Sequence, residues 1–316
     1  MPALYQHIQL RAQNVIQRIG NSRFATQSLP PMLTTIRNYA ELMRLHKPIG
    51  IFLLMWPTLW ALWLASHGRP NEQVFVVFIL GVILTRSAGC VINDYADREF
   101  DARVARTKDR PIADKRIEPT EALFVFAGLS FLALALVLTQ DRFTQLLALP
   151  GAAMIVTYPF FKRFFPLPQA YLGAAFSWSI PMAFAAQTGN VPVVAWLLFI
   201  ANVLWTTAYD TMYAMADRED DLKIGIRSSA ILFGDADRAM IGLMQFMTLL
   251  ALALVGVNMQ LGFWYYLGIV GATFFAIYQQ VLIYDRASQT CLRAFLNNNY
   301  FGMCVFGGMA LSFLFS

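Results

Sequence analysis

Long apolar runs limit the fold of this chain more than any other feature of its sequence. About 20 apolar residues are enough to cross the roughly 30 Å hydrocarbon core of a membrane as one helix. With 58% hydrophobic and 14% charged residues and a mean hydropathy of +0.51, the chain is too apolar for an ordinary soluble domain. We therefore predict an all-α polytopic membrane protein, a bundle of nine transmembrane helices. The predicted spans are 48–66, 74–96, 121–139, 143–161, 169–187, 191–214, 236–257, 262–284 and 293–315.

The positions of the basic residues orient this bundle, because cytoplasmic loops of membrane proteins are enriched in Lys and Arg. With a cytoplasmic N terminus, most of the 24 basic residues lie on that side; Arg69 and Arg142 lie opposite, and Arg86 lies within a span. Residues 1–40 contain arginines but no acidic residue, and we interpret them as a basic extension to one transmembrane domain at 41–316. The net charge of +5 thus follows membrane topology and does not indicate nucleic-acid binding.

The same pattern bears on the location of the protein. We expect a bacterial inner membrane with the N terminus in the cytoplasm. A mitochondrial inner membrane is the less favoured alternative, since an arginine-rich extension without acids is also typical of mitochondrial presequences.

Acidic residues gather at the cytoplasmic end of the second predicted span. Asn93, Asp97 and Asp101 are spaced four residues apart and therefore share one face of a helix, with Asp94 beside them. Carboxylates this close repel one another unless water solvates them or a divalent cation lies between them. The site is therefore predicted at the rim of the membrane.

The sixth span carries a second copy of this cluster. DREFD at 97–101 and DREDD at 217–221 have equivalent positions 120 residues apart, which suggests a parallel internal repeat. Asp210 precedes Asp217 by seven residues on the same face as Asp221, inside an apolar run. An acid there costs about 2.5 to 3.5 kcal/mol unless it is paired or faces a wet cavity. A solvated helix end is the simpler reading of either cluster alone, but two copies favour function.

Two facing sets of carboxylates are suited to Mg²⁺, which prefers oxygen ligands and usually shares them between one or two carboxylates and substrate phosphates. Nearby cations would complement a diphosphate: Lys108 and Arg110 after the second span, and Lys223 and Arg227 after the sixth. A diphosphate held at a membrane surface predicts a polyprenyl diphosphate whose chain lies in membrane lipid. The allylic cation that remains after the diphosphate leaves would need surroundings that exclude water. It would also need aromatic rings whose faces stabilise positive charge, such as that of Tyr213.

NDxxDxxxD at 93–101 and DxxYAxxDxxDD at 210–221 resemble the motifs of the UbiA superfamily of intramembrane aromatic prenyltransferases. The resemblance extends from about residue 40 nearly to the end of the chain. Further matching stretches are RLHKPIG at 44–50, RTKDRP at 106–111, YPFFKR at 158–163, SWSIPMAFAA at 177–186 and KIGIRSSAILFG at 223–234.

The resemblance implies Mg²⁺-dependent transfer of a polyprenyl group from polyprenyl diphosphate to 4-hydroxybenzoate, ortho to its hydroxyl, in ubiquinone biosynthesis. It implies no protein partner. The metal ligands carried over by position are Asn93, Asp94, Asp97, Asp101, Asp217 and Asp221. The residues assigned to catalysis are Asp94, Asp97, Asp210 and Asp217.

The carboxylate of such an acceptor requires a cation. Arg163 in YPFFKR is a candidate from the resemblance and from physics, because a guanidinium binds a carboxylate through two parallel hydrogen bonds; a topological anchor is the alternative. Arg86 lies seven residues before Asn93 on the same face and deeper in the membrane. It could bind the acceptor, orient the diphosphate or pair with Asp210, and the sequence does not choose. Tyr213 is placed in the same acceptor pocket.

Two alternatives remain at this stage. A member of the same superfamily could use another aromatic acceptor, such as homogentisate, a naphthoate or a haem ring. A secondary transporter would also fit repeated halves and intramembrane acids. Carriers, however, place such acids near the midplane, whereas most of these lie at one edge beside basic connections.

Overall fold

The computed structural model describes residues 31–102, 107–161 and 163–315. The first 30 residues of the predicted basic extension lie outside this part, and the domain boundary at residue 40 stays a prediction. The described chain forms twelve α-helices and one short 3₁₀ turn at Gly234–Ala236. The helices are α1 (Pro31–Leu42), α2 (Ile49–Ala65), α3 (Glu72–Asp101), α4 (Pro119–Leu138), α5 (Arg142–Phe161), α6 (Pro168–Ser177), α7 (Ser179–Thr188), α8 (Val193–Ile224), α9 (Ser229–Phe233), α10 (Asp237–Asn258), α11 (Phe263–Leu282) and α12 (Ser288–Leu314).

The prediction of an all-α membrane protein is confirmed, since no strand occurs in the described residues, but the count of nine spans is not. Each predicted run coincides with a helix or with a pair of helices. Within the described ranges, six helical segments are long and apolar enough to cross a membrane: Glu72–Asp101, Pro119–Leu138, Arg142–Phe161, Val193–Lys223, Ser229–Asn258 and Phe263–Leu282.

Local chemistry explains why the other three runs fall short. The first, α2, has only 17 residues. The run at 169–187 is broken at Trp178 into α6 and α7. Pro181 has no N–H to donate to the carbonyl of Ser177, and its ring clashes with that carbonyl, so the first helix ends there. In α12, the polar residues 297–299 are all asparagine and lower the hydropathy of an otherwise apolar helix.

The core lies where α2, α8 and α12 pack together around large aromatic side chains. The ring of Trp205 is stacked on Phe301 at 5.2 Å and lies 5.2 Å from the ring of Trp60. The indole N–H of Trp205 donates to Asn298 at 2.9 Å, so a polar group inside the bundle is satisfied. By contrast, Ala122 is the one buried residue of α4, which leaves that helix facing lipid.

Glycine allows α11 and α12 to approach closely. A Cβ at Gly308 would lie 2.8 Å from the Cα of Gly268 and 2.8 Å from the carbonyl oxygen of Trp264. Small residues at helix crossings permit such backbone contact in membrane proteins. A Cβ at the neighbouring Gly307 would meet nothing within 4 Å.

We therefore expect Gly308→Ala to lower the midpoint of thermal unfolding of the purified protein in detergent, because overpacking typically costs about 1 to 3 kcal/mol. Gly307→Ala is the matched control and should leave the midpoint unchanged or raise it slightly, since alanine is the better helix former. Equal effects of the two substitutions would show that this crossing does not contribute to stability.

Candidate active site

The predicted acidic faces of the second and sixth spans line one cavity of about 180 Å³ at the end of the bundle where α3 and α8 terminate. Helix α3 contributes Asn93, Asp97, Phe100 and Asp101, and α8 contributes Asp210, Tyr213, Ala214, Asp217 and Asp221. Four-residue spacing on α3 and seven- and four-residue spacing on α8 bring these side chains to one face of each helix.

Asp94 is the one predicted carboxylate that does not line this cavity. It is buried, and both of its oxygens accept hydrogen bonds from Nη2 of Arg44, at 2.9 and 2.8 Å. Nη1 of Arg110 lies 3.1 Å from Asp94 and 2.6 Å from Asp101. The charges of Asp94 and Asp101 are thus balanced by two guanidiniums. One comes from a segment before α3 and the other from the segment that follows it.

Arg110 stays charged in this position. Burial by itself lowers the pKa of its guanidinium, but the carboxylates of Asp94 and Asp101 outweigh that effect, and the pKa lies above the usual arginine value. A permanent positive charge is therefore present in the wall of the cavity.

The four cations predicted to bind diphosphate divide into two pairs. Arg110 and Arg227 line the cavity, and Nη1 of Arg227 donates to the carbonyl of Phe164 at 2.6 Å. Lys108 and Lys223 are exposed outside it, and Lys223 pairs with Asp220 at 3.0 Å. The structure brings only the two arginines to the carboxylates.

Of the predicted acceptor-binding residues, Tyr213 lines the cavity and the two arginines differ in environment. Arg163 donates to the carbonyl of Ala96 at 3.0 Å and lies over the rings of Phe100 and Phe160, 5.6 and 5.5 Å from their centroids. Its side chain already has partners at the surface.

Arg86 is not among the residues that line this cavity and is held inside the bundle, against α2. Its Nε is buried and has no hydrogen-bond partner among the described residues. A Cβ at Gly50, in α2, would lie only 2.8 Å from the guanidinium carbon of Arg86, so glycine is what leaves room for it. The ring of Phe176 lies 5.8 Å away.

Several residues at the site were not identified from the sequence. Thr107, Tyr158, Gln169 and Ser228 also line the cavity, and Arg44 binds Asp94. All except Gln169 lie within the stretches that carry the family resemblance, so the resemblance could have identified them as candidate site residues. Nothing in the sequence pointed to Gln169, whose Oε1 accepts from the backbone N–H of Ser229 at 2.8 Å.

The buried carboxylate of Asp237 fixes the connection that follows α8. Asp237 is fully buried; Arg218 approaches it to 2.6 Å and Arg286 to 2.9 Å. Arg218 also donates to the carbonyls of Ala230 and Gly234, at 2.5 and 3.2 Å. Because Arg218 lies within DREDD, these contacts attach the segment 225–236, which supplies Arg227 and Ser228 to the cavity, to the acidic end of α8.

The donor atoms of the cavity suit a hard cation. Within the described ranges, no group of three or more His, Cys, Asp or Glu side chains is arranged to hold a metal ion by itself. Mg²⁺ does not require one, because it usually keeps several waters and is held by one or two carboxylates together with substrate phosphates. The oxygen-rich lining therefore fits Mg²⁺ that binds together with a phosphorylated substrate.

These features define a class: a multi-pass α-helical membrane protein with a cavity of carboxylates and arginines at one end of its bundle. The model of the UbiA prenyltransferase family matches residues 54–304, and the chain belongs to this family.

Relatives and solved structures agree with that assignment. A 4-hydroxybenzoate octaprenyltransferase of Nitrosococcus oceani is 58% identical over 276 residues, covering 87% of this chain and 97% of that protein. The apo structure of a UbiA homolog from Aeropyrum pernix K1 has a TM-score of 0.74 at 22% identity, covering 83% of this chain and 97% of the other. A UbiA homolog from Archaeoglobus fulgidus bound to DMAPP and Mg²⁺ has a TM-score of 0.64 at 16% identity, covering 85% and 99%. The two structures show that the fold is shared.

We expect Asp237→Asn to lower the midpoint of thermal unfolding strongly, because it leaves Arg218 and Arg286 without their buried counter-charge. Breaking such a pair typically costs about 3 to 5 kcal/mol. Asp235→Asn, at an exposed side chain two residues earlier, is the matched control and should unfold like the wild type. If both variants melt at the wild-type temperature, the buried ion pairs do not hold this segment.

Proposed function

We propose that the protein transfers a polyprenyl group from polyprenyl diphosphate to the ring carbon ortho to the hydroxyl of 4-hydroxybenzoate, with Mg²⁺, in ubiquinone biosynthesis. The observation that carries the proposal is that carboxylates of both α3 and α8 line the same cavity. Family membership and the names of relatives at more than half identity support this reaction and this acceptor. We place the protein in a bacterial inner membrane, with the N terminus and the cavity on the cytoplasmic side.

Oxygen atoms from both helices would hold the metal. The proposed ligands are Asn93, Asp97, Asp101, Asp217 and Asp221. When bound, Mg²⁺ would neutralise charge on the diphosphate and so improve it as a leaving group. Asp94, predicted from the sequence as a ligand and catalytic residue, is better placed to orient Arg44 and Arg110, which it binds.

Arg110 and Arg227 would bind the diphosphate oxygens, because both line the cavity beside the carboxylates. Lys108 and Lys223 are exposed at the same end, where positive charge raises the local concentration of an anionic substrate. Their direct contact with diphosphate stays a prediction.

The bond between the allylic carbon and the diphosphate oxygen breaks with its electron pair leaving on the diphosphate, and the allylic carbon then bonds to the ring. Phe100, Tyr158 and Tyr213 would present aromatic surfaces to the cation and exclude water from it. The ring proton next to the new bond must then pass to a base. We assign this role to Asp210, which lines the cavity and precedes Asp217 by seven residues, two turns further from the end of α8.

Arg86 is our choice for the acceptor carboxylate. A buried guanidinium nitrogen without a partner is costly, and a bound carboxylate would satisfy it through charge-assisted hydrogen bonds. Arg86 precedes Asn93 by seven residues, so it lies two turns below the metal ligands on the same face of α3. Arg163, in contrast, already donates to a backbone carbonyl at the surface.

The proposal is tested by mass analysis of the product from purified protein, polyprenyl diphosphate and a panel of acceptors, with and without Mg²⁺. We expect prenylated 4-hydroxybenzoate only when Mg²⁺ is present. Preferred use of homogentisate or a naphthoate would show that 4-hydroxybenzoate is not the acceptor. Solute transport in vesicles without any prenyl transfer would show that the protein is a transporter and not a prenyltransferase.

We expect Asp97→Asn and Asp217→Asn each to reduce turnover by about 100-fold or more while the protein stays folded. Each removes a charge from the proposed metal site, and even indirect supports of metal ligands are worth about 10- to 100-fold. Asp220→Asn is the control, because Asp220 belongs to the same motif but pairs with Lys223 outside the cavity. Turnover in each variant is measured across a Mg²⁺ titration. Near-normal rates in Asp97→Asn would count against a metal site spanning both helices.

Arg86→Gln should raise the KM for 4-hydroxybenzoate by about tenfold or more, since a charge-assisted hydrogen bond is worth about 1.5 to 3 kcal/mol. The KM for polyprenyl diphosphate should change much less. Arg163→Gln is the comparison and should leave both constants near the wild-type values. The opposite result, with the acceptor KM raised only by Arg163→Gln, would move the carboxylate site to the surface arginine.

A further inference from the structure

A second polar cavity lies at the same end of the bundle but outside the proposed active site. It has a volume of about 460 Å³ and is formed where α10 begins and α11 ends. Its lining comprises Asp235, Arg238, Ala239, Gly242, Gln280 and Arg286. None of these residues lines the cavity between α3 and α8.

Arg238 is the arginine of this cavity that contacts an aromatic ring and pairs with no carboxylate of the described chain. Its Nε is buried and without a hydrogen-bond partner in the described chain, and its guanidinium lies 4.4 Å from the ring centroid of Tyr284. The other arginine, Arg286, is bound to Asp237 at 2.9 Å, while Asp235 adds a negative charge to the rim. The lining thus contains two guanidiniums and one carboxylate, and Arg286 shares the carboxylate of Asp237 with Arg218, so the net charge of the lining is about one positive.

The shape of the cavity comes from a gap between α10 and α11. Gly242 has no side chain; a Cβ built there would lie 3.6 Å from Nε2 and 3.8 Å from Cδ of Gln280, so a side chain larger than that of alanine would meet this amide. That nitrogen donates to Gln245 at 2.9 Å, which holds the Gln280 amide in place on the far side of the gap. The polar wall is thus positioned by the protein itself.

Below the cavity, the two helices are apolar and exposed. Leu243 and Phe246 on α10 are 52% and 62% exposed, and Ile277 and Val281 on α11 are 62% and 65% exposed. In a membrane, acyl chains cover such residues. A ligand whose anionic group contacts Arg238 and whose hydrocarbon chains run along these side chains would have the structure of a phospholipid.

We propose that this cavity binds the headgroup of an anionic phospholipid, with its phosphodiester on Arg238 and its acyl chains against α10 and α11. A phosphodiester carries one negative charge, which matches the net positive charge of the lining, and arginine recognises phosphate through paired hydrogen bonds. Basic pockets between transmembrane helices at the cytoplasmic side are known to bind such headgroups. The assignment goes beyond the prenyl-transfer reaction and does not depend on it.

The test is native mass spectrometry of the full-length protein from mixed micelles containing phosphatidylglycerol or phosphatidylcholine. Wild-type protein should retain phosphatidylglycerol in preference to phosphatidylcholine. Arg238→Gln should weaken that retention by about tenfold, as expected for the loss of one charge-assisted interaction. Gly242→Leu fills the gap without removing charge and should have the same effect. Arg293→Gln, at an exposed arginine near the start of α12 at the same end, is the control and should bind as the wild type does.

A separate arm distinguishes a lipid headgroup from a free anion. Inorganic phosphate or diphosphate at millimolar concentration should not displace the retained lipid, because neither has acyl chains to contact α10 and α11. Displacement by either anion would overturn the lipid assignment. Equal retention of the two lipids, or equal retention by wild type, Arg238→Gln and Gly242→Leu, would overturn it as well.

Discussion

The balance of charge inside an apolar bundle is the constraint on which the rest of this structure depends. Removing a carboxylate from water costs several kcal/mol, and a protein compensates for this only when cations and hydrogen bonds are well placed around it. Here the compensation comes from pairs of arginines that converge from different parts of the chain. Asp94 is held by Arg44 and Arg110, and Asp237 is held by Arg218 and Arg286.

These ion pairs also determine where the connections between helices lie. Arg110, which follows α3, is attached to two carboxylates of that helix and so forms part of the cavity wall. The segment 225–236 is attached to α8 through Arg218 and Asp237, and it supplies Arg227 and Ser228 to the same cavity. The polar site at this end of the bundle is thereby completed by two connections between helices.

Much of the site followed from spacing along single helices. Intervals of four and seven residues on α3 and α8 predicted which carboxylates share a face, and the structure has those faces on one cavity. The helix break was harder to predict from the sequence. The run at 169–187 has the composition of one span, but the effect of Pro181 on the carbonyl of Ser177 divides it at Trp178. The three asparagines at 297–299 likewise accept hydrogen bonds from Gln279, Trp205 and Trp56 on other helices, which composition alone does not reveal.

The sequence by itself determined the class of fold, the membrane location and the identity of the two acidic faces, because hydrophobic length and helical periodicity are local properties. It did not determine which cations meet those acids. The contact of Arg44 with Asp94 crosses 50 residues, and the gap that Gly50 leaves for Arg86 joins two helices. Such pairings arise only when helices pack, since the free energy of a buried charge depends on what surrounds it in space and not on its neighbours along the chain.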